Sequence, residues 1–236
     1  MRINEKNAAK RGSLVNINEK IGELVSGRSF ADIGGLWGTE NERVTVASAA
    51  GASSVMMVDM QQEGNEWWRA FEERRKEKGV TACTNIVANL DHADFAVKVP
   101  VSDVTHCSGV IYHAPSPVWT LAKLREVTGD TLLLCSMTVP EQIETKVGSI
   151  DMSDGNALFI PALSGRKLQI LRAYFDDVHI QVHNINSQKE YPWRVGADYN
   201  YAPWWWLWTP TTLAAFVETA GFRVREIFDG WPGYSH

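Results

Sequence analysis

Three cysteines, no apolar run of membrane-spanning length and no surplus of positive charge: these scarcities bound what the 236-residue chain can be. Cys83, Cys107 and Cys135 are odd in number, widely spaced and set in apolar runs. That argues against a disulfide framework and against a thiolate zinc site, and it points to the reducing, cytoplasmic compartment. The opening MRINEKNAAKRGS is charged but is followed by no apolar core of signal-peptide type. With no candidate span either, no membrane partner is expected. The net charge of −5 disfavours a dedicated nucleic-acid binder, which usually carries a basic face. The basic clusters are KRGS near the start and FEERRKEKG further on, and the second is interleaved with acids like a solvated helix face.

What is present is a globular composition, 44% hydrophobic and 22% charged, with ten tryptophans. The first half alternates between short apolar runs and helical periodicity. Strands are expected at Ser29 to Ile33, Ser53 to Val58, Val80 to Val87, Asp103 to Cys107 and Thr131 to Ser136. Between them, Thr39-Glu-Asn-Glu42 fits a capping box for a helix that stops at Gly51. Asn65 to Lys78 has helical spacing of Trp68, Phe71 and Arg75 and stops at Gly79. Pro117 to Val127 is a third helix, stopped by Gly129. This rhythm predicts an α/β fold: a doubly wound, mostly parallel, Rossmann-like sheet with helices on both faces. Residues 1–28 precede it as an N-terminal helical segment. Residues 139–208 break the rhythm and are expected as an insertion or lid over the active face. Thr209-Pro210 restarts a helix ending at Gly221, and Phe222 to Phe228 (FRVREIF) reads as a further strand.

In such a sheet the ligand sits outside the carboxyl ends of the strands, where the strand order reverses. FADIGGLWG, Phe30 to Gly38, lies at such an end. Its glycines miss the dinucleotide spacing, since Leu36 and Thr39 occupy the offsets a start at Gly34 requires, and no Gly-Lys-Ser/Thr follows. Glu40 and Glu42 at the next helix start would repel a phosphate, so the expected ligand has none at that place.

The pattern that fits is Asp32-x-Gly34-x-x-x-Gly38 with Asp59 at the end of the second strand. It resembles the class I S-adenosylmethionine-dependent methyltransferases. Leu36 departs from the middle glycine many members carry. The resemblance implies a single methyltransferase domain over residues 1–236, with S-adenosyl-L-methionine as cofactor and S-adenosyl-L-homocysteine as product. It implies cofactor contacts from Asp32, Gly34, Gly35, Trp37 and Gly38, from Asp59 to the ribose hydroxyls with Met60 beside it, from Asn89, Leu90 and Asp91 near the adenine, and from Cys107, Ser108 and Gly109. The string Gly109-Val-Ile-Tyr-His113 followed by Ser116-Pro117 resembles the tRNA wobble-uridine carboxymethyltransferase-like branch.

Methyl transfer from a sulfonium is an in-line displacement in which the enzyme positions the nucleophile and supplies a base. His113 is the candidate base, and its unperturbed pKa of about 6.5 suits the role. Tyr112 is the candidate donor to the substrate. His179 and His183 would share one face of a strand in YFDDVHIQVH and line the substrate site. A metal with Asp176 or Asp177 lacks a third ligand, so none is expected. YAPWWWLW reads either as a packed lid or as an aromatic wall in which Trp204 and Trp205 meet the substrate. His106 is expected to pack inside its strand.

The expected function is methyl transfer to oxygen or nitrogen of a small-molecule acceptor. The alternatives are a tRNA- or RNA-modifying enzyme and a non-catalytic partner subunit. No basic residue is placed to pair with a carboxylated cofactor. The class I sheet ends in a seventh, antiparallel strand, and here the chain stops where its hairpin would turn. That strand comes from the insertion, where YFDDVHIQVHN is strand-like, or lies outside this sequence, or is replaced by a partner, for instance a second copy in a homodimer.

Overall fold

The computed structural model describes residues 15–37, 42–194, 201–231 and 234–235. A helix α1 (Ile17–Val25) leads into strand β1 (Ser29–Ile33), helix α2 (Val44–Ala49), strand β2 (Ser54–Asp59), helix α3 (Glu66–Glu77), strand β3 (Thr84–Val87), a short helix α4 (Phe95–Lys98), strand β4 (Ser102–Ser108), helix α5 (Pro117–Val127) and strand β5 (Thr128–Met137). These five strands form a parallel sheet in the order β3-β2-β1-β4-β5. This is the Rossmann-like arrangement that the alternation predicts.

Both faces of the sheet are covered, and the period-2 alternation decides which residue goes where. Phe30, Val55, Met57, Val104 and Leu133 pack with Ile21, Val44, Trp68 and Phe71 of α1, α2 and α3. Ala31, Ile33, Met56, Val58, Cys107 and Leu134 face the other way, against Leu121 and Leu124 of α5. Helix boundaries follow from local chemistry. Asn65 caps α3 by accepting from the backbone N–H of Trp67 and Trp68. The α3 stop is a Schellman turn: Gly79 N–H donates to Lys76 and Val80 N–H to Arg75, with Gly79 at φ +76°. The start of α2 differs from the expected capping box, most of which falls outside the described residues. Glu42, just before the helix, accepts from the Thr45 N–H at 3.0 Å and pairs with Arg74 Nε at 2.9 Å.

Beyond β5, the described residues 138–194 and 201–209 form regular elements. They supply a hairpin, β6 (Gln142–Thr145) with β7 (Gly148–Asp151), then β8 (Ala157–Phe159), helix α6 (Gly165–Asp177) and strand β9 (Trp206–Trp208), which pairs antiparallel with β8. Ile143, Ile150, Ile170, Phe175, Leu207 and Trp208 join the same core cluster as α5 and the main sheet. Helix α7 (Pro210–Thr219) follows, with Thr209 accepting from Thr212 N–H as its N-cap.

Two expectations are corrected here. YFDDVHIQVHN is no strand: it is the end of α6 and the turns after it. The αL residue in that helix stop is His179, at φ +59°, with His179 N–H donating to Asp176 and Ile180 N–H to Phe175, the same Schellman pattern as after α3. FRVREIF also forms no strand. Phe222, Val224 and Phe228 are half-buried and Arg223 and Arg225 exposed, but the ladder begins only at β10 (Asp229–Trp231), which pairs antiparallel with β11 (Tyr234–Ser235). β11 pairs antiparallel with β5 at Met137 and Ser136, so the chain's own last residues supply the antiparallel strand.

Candidate active site at the strand ends

A cleft opens at the carboxyl ends of β1, β2, β3 and β4. It is lined by Gly34, Trp37, Asp59, Met60, Asn89, Leu90, Asp91, Gly109 and His113, all of them expected there, together with Gln61, Trp67, Val110 and Tyr201. Gly34 is needed for two reasons. Its φ is +79°, and a Cβ there would stand 2.5 Å from Val110 Cγ2.

Asp59 is the central carboxylate. It is buried and accepts from Leu36 N–H at 3.3 Å and from Gln61 N–H at 3.0 Å. Burial raises its pKa above the ordinary carboxylate range, against those two backbone donors. Asp91 is also raised by burial, and it accepts from Thr120 Oγ1 at 2.6 Å. Asn89 is held at both ends of its amide: Oδ1 accepts from Asp91 N–H at 2.9 Å, and Nδ2 donates to the Tyr201 hydroxyl at 2.5 Å. The outer wall is aromatic. Trp37 is 72% exposed and lies 4.4 Å, centroid to centroid, from Trp67.

No lysine or arginine lines this cleft among the described residues, and no described group of three His, Cys, Asp or Glu side chains is placed to hold a metal. Glu42 turns away toward Thr45 and Arg74, and Glu40 lies outside the described residues.

His113 borders the cleft from the turn after β4. Its Nδ1 lies 3.0 Å from the carbonyl oxygen of Pro203. A carbonyl only accepts, so Nδ1 carries the proton and Nε2 the lone pair. Burial lowers the His113 pKa to about 4, which keeps the ring neutral at physiological pH.

Several expected residues stand elsewhere. Asp32 does not line the cleft. Its carboxylate is fully buried under the turn, 2.8 Å from His106 Nδ1 and 2.6 Å from the Arg43 N–H, and a Cβ on Gly35 would lie 2.7 Å from Asp32 Cγ. Asp32 and Gly35 therefore shape the turn, and His106 is more than packing because it holds that carboxylate. Cys107 points into the core with its thiol pKa pushed up by burial, and Ser108 lies outside the lining. Gly38 falls outside the described residues. Tyr112 is buried, its ring 4.5 Å from both the His113 and Trp204 rings. Trp204 and Trp205 are buried too, so they form no open substrate wall. His179 is exposed at its helix stop, and His183 packs on Tyr191 with Ser187 as neighbour, so the pair lines no common face. A larger cleft of about 440 Å³ lies between β5 and residues 221–228, at the sheet edge where FRVREIF forms no ladder, and it gathers none of these groups.

Gln61, Trp67 and Tyr201 line the cleft without having been expected there. Gln61 follows Asp59 closely enough to have been included. Trp67 reads as a core residue of an amphipathic helix, and Tyr201 reaches Asn89 across a separation of 112 residues.

No family model and no curated protein matches the chain. Solved structures do share its fold. An O-methyltransferase family protein from Burkholderia thailandensis aligns over 93% of this chain and 53% of its own, at TM-score 0.55 and 14% identity. An S-adenosylmethionine-dependent methyltransferase from Mesorhizobium loti aligns over 89% and 81%, at 0.51 and 12%. The pyocyanin biosynthetic protein PhzM aligns over 92% and 52%, at 0.53 and 14%. This chain thus spans about half the length of two of the three. The likeness establishes a Rossmann-like fold shared with methyltransferases. Nothing in it favours the wobble-uridine branch.

Proposed function

We propose that this chain is an S-adenosylmethionine-dependent methyltransferase acting on oxygen or nitrogen of a small-molecule acceptor. The observation that carries the reading is the composition of the cleft. Two carboxylates, two indoles and two amides converge at the strand ends with no described cation among them. A phosphate would find nothing there to neutralise it, whereas a positively charged nucleoside meets complementary charge and aromatic faces. The fold shared with methyltransferases agrees with it.

When bound, the cofactor supplies a methyl group activated by a sulfonium. Asp59 would hold the ribose hydroxyls, because its carboxylate lines the cleft at the end of β2. Asn89 and Asp91 would meet the base, and the Gly34 turn would let backbone approach the amino-acid end. Nε2 of His113 would carry the lone pair that takes an acceptor proton. With a pKa of about 4 it is a weak base, suited to an acceptor that loses its proton late in the transfer or to orienting that acceptor.

Calorimetric titration with S-adenosylhomocysteine tests the reading. Micromolar binding is expected, and Asp59→Ala should weaken it on the order of a hundredfold, two charge-assisted hydrogen bonds being worth about 3 kcal/mol together. No heat from the unaltered protein overturns the assignment.

A further inference from the structure

Residues 201–206 run as a strap over the tips of two strands. Trp205 N–H donates to the Tyr112 carbonyl at 2.8 Å, Trp206 Nε1 donates to the Pro115 carbonyl at 3.1 Å, and the Pro203 carbonyl accepts from His113. These contacts tie the strap to the turn after β4. At its other end Tyr201 reaches the loop after β3, where its hydroxyl accepts from Asn89 Nδ2. Tyr201 and Pro203 are separated by one residue, and Pro203 has its φ fixed by its ring. Asn89 and His113 are thereby joined through a short, stiff stretch of chain that belongs to neither loop.

We infer that Tyr201 is a positioning residue that couples occupancy of the nucleoside end of the cleft, read at Asn89, to the placement of His113 at the reacting end. The inference rests on the methyltransferase reading. Asn89 has two N–H protons on Nδ2, of which Tyr201 takes one. Asp91 N–H, which can only donate, fixes Asn89 Oδ1, so Nδ2 gives one N–H to Tyr201 and keeps the other for a nucleobase acceptor. A ligand that uses that donor reinforces the Tyr201 bond, and the strap carries the effect to the Pro203 carbonyl that orients the His113 ring.

Tyr201→Phe removes the hydroxyl and keeps the ring. Two readouts are taken on the full chain with S-adenosylhomocysteine as probe: affinity by calorimetry, and the His113 imidazole resonance, assigned with His113→Asn. The expected result is affinity about fivefold weaker in Tyr201→Phe and a ligand-induced His113 shift that is much smaller than in the unaltered protein. Equal affinity and an equal His113 shift in the two proteins overturn the coupling while leaving the methyltransferase reading intact. Absence of binding by the unaltered protein overturns both.

Discussion

Asp59 and His113 titrate in opposite directions for the same reason, since burial penalises whichever form is charged. For His113 the consequence is a stability slope. Its folded pKa of about 4 lies below the ordinary value of 6.5, so between those two pH values the unfolded chain binds a proton that the folded chain refuses. The neutral ring's contribution is fully present above pH 6.5 and is lost as pH falls toward 4, up to about 3 kcal/mol. His113→Asn keeps a donor for the Pro203 carbonyl and removes the titration. Denaturant unfolding of both proteins from pH 7 to pH 4 should show the unaltered protein losing stability more steeply, and parallel slopes would refute the buried, neutral assignment. At this scale the sequence was informative where a residue's job is done by its own neighbourhood. Gly34, Asp59, Asn89 and Asp91 were legible because turn and strand end are adjacent in the chain. The Asp32–His106 pair was not, because it joins side chains 74 positions apart that become neighbours only when β1 and β4 pair in register.

Among the elements, boundaries set by caps were the most legible. Helix α7 begins at Pro210 behind Thr209, whereas α5 runs from Pro117 to Val127 without a side-chain cap and its expected stop, Gly129, lies in β5. The Thr209 side chain accepts from Thr212 N–H at 3.1 Å and is buried, so water cannot replace it in Thr209→Ala. That substitution should cost about 1 kcal/mol and lower the melting temperature by about 2–4 °C. A thermal melt indistinguishable from the unaltered protein would show that the cap is dispensable. The elements that were misread share a cause. The HxxxH spacing in YFDDVHIQVH suits a strand face as well as a helix end, and a histidine in the αL position of a helix stop carries no sequence signal as clear as glycine does. FRVREIF has a strand's alternation, but alternation describes a half-buried chain and does not guarantee a partner for its ladder.

On the scale of the whole molecule, the insertion is part of the core. Trp208 of β9 is fully buried, donates from Nε1 to Ser136 Oγ of β5 at 3.1 Å and packs on Phe216 of α7. Trp208→Ala should therefore cost about 3–5 kcal/mol and lower a single cooperative transition rather than release the insertion alone. A separate low-temperature transition with the main melt unmoved would show instead that the insertion folds independently. The sequence by itself determined the parallel sheet, its order of elements and the acid-and-glycine wall of the cleft, since each depends on periodicity, caps and residues near one another along the chain. Only the tertiary structure decided that Trp67 and Tyr201 close that cleft, that Asp32 is spent beneath the turn and that Trp204 and Trp205 are packed rather than displayed. Those outcomes depend on which distant segments meet, and burial of a whole face settles that, not the preference of any one stretch.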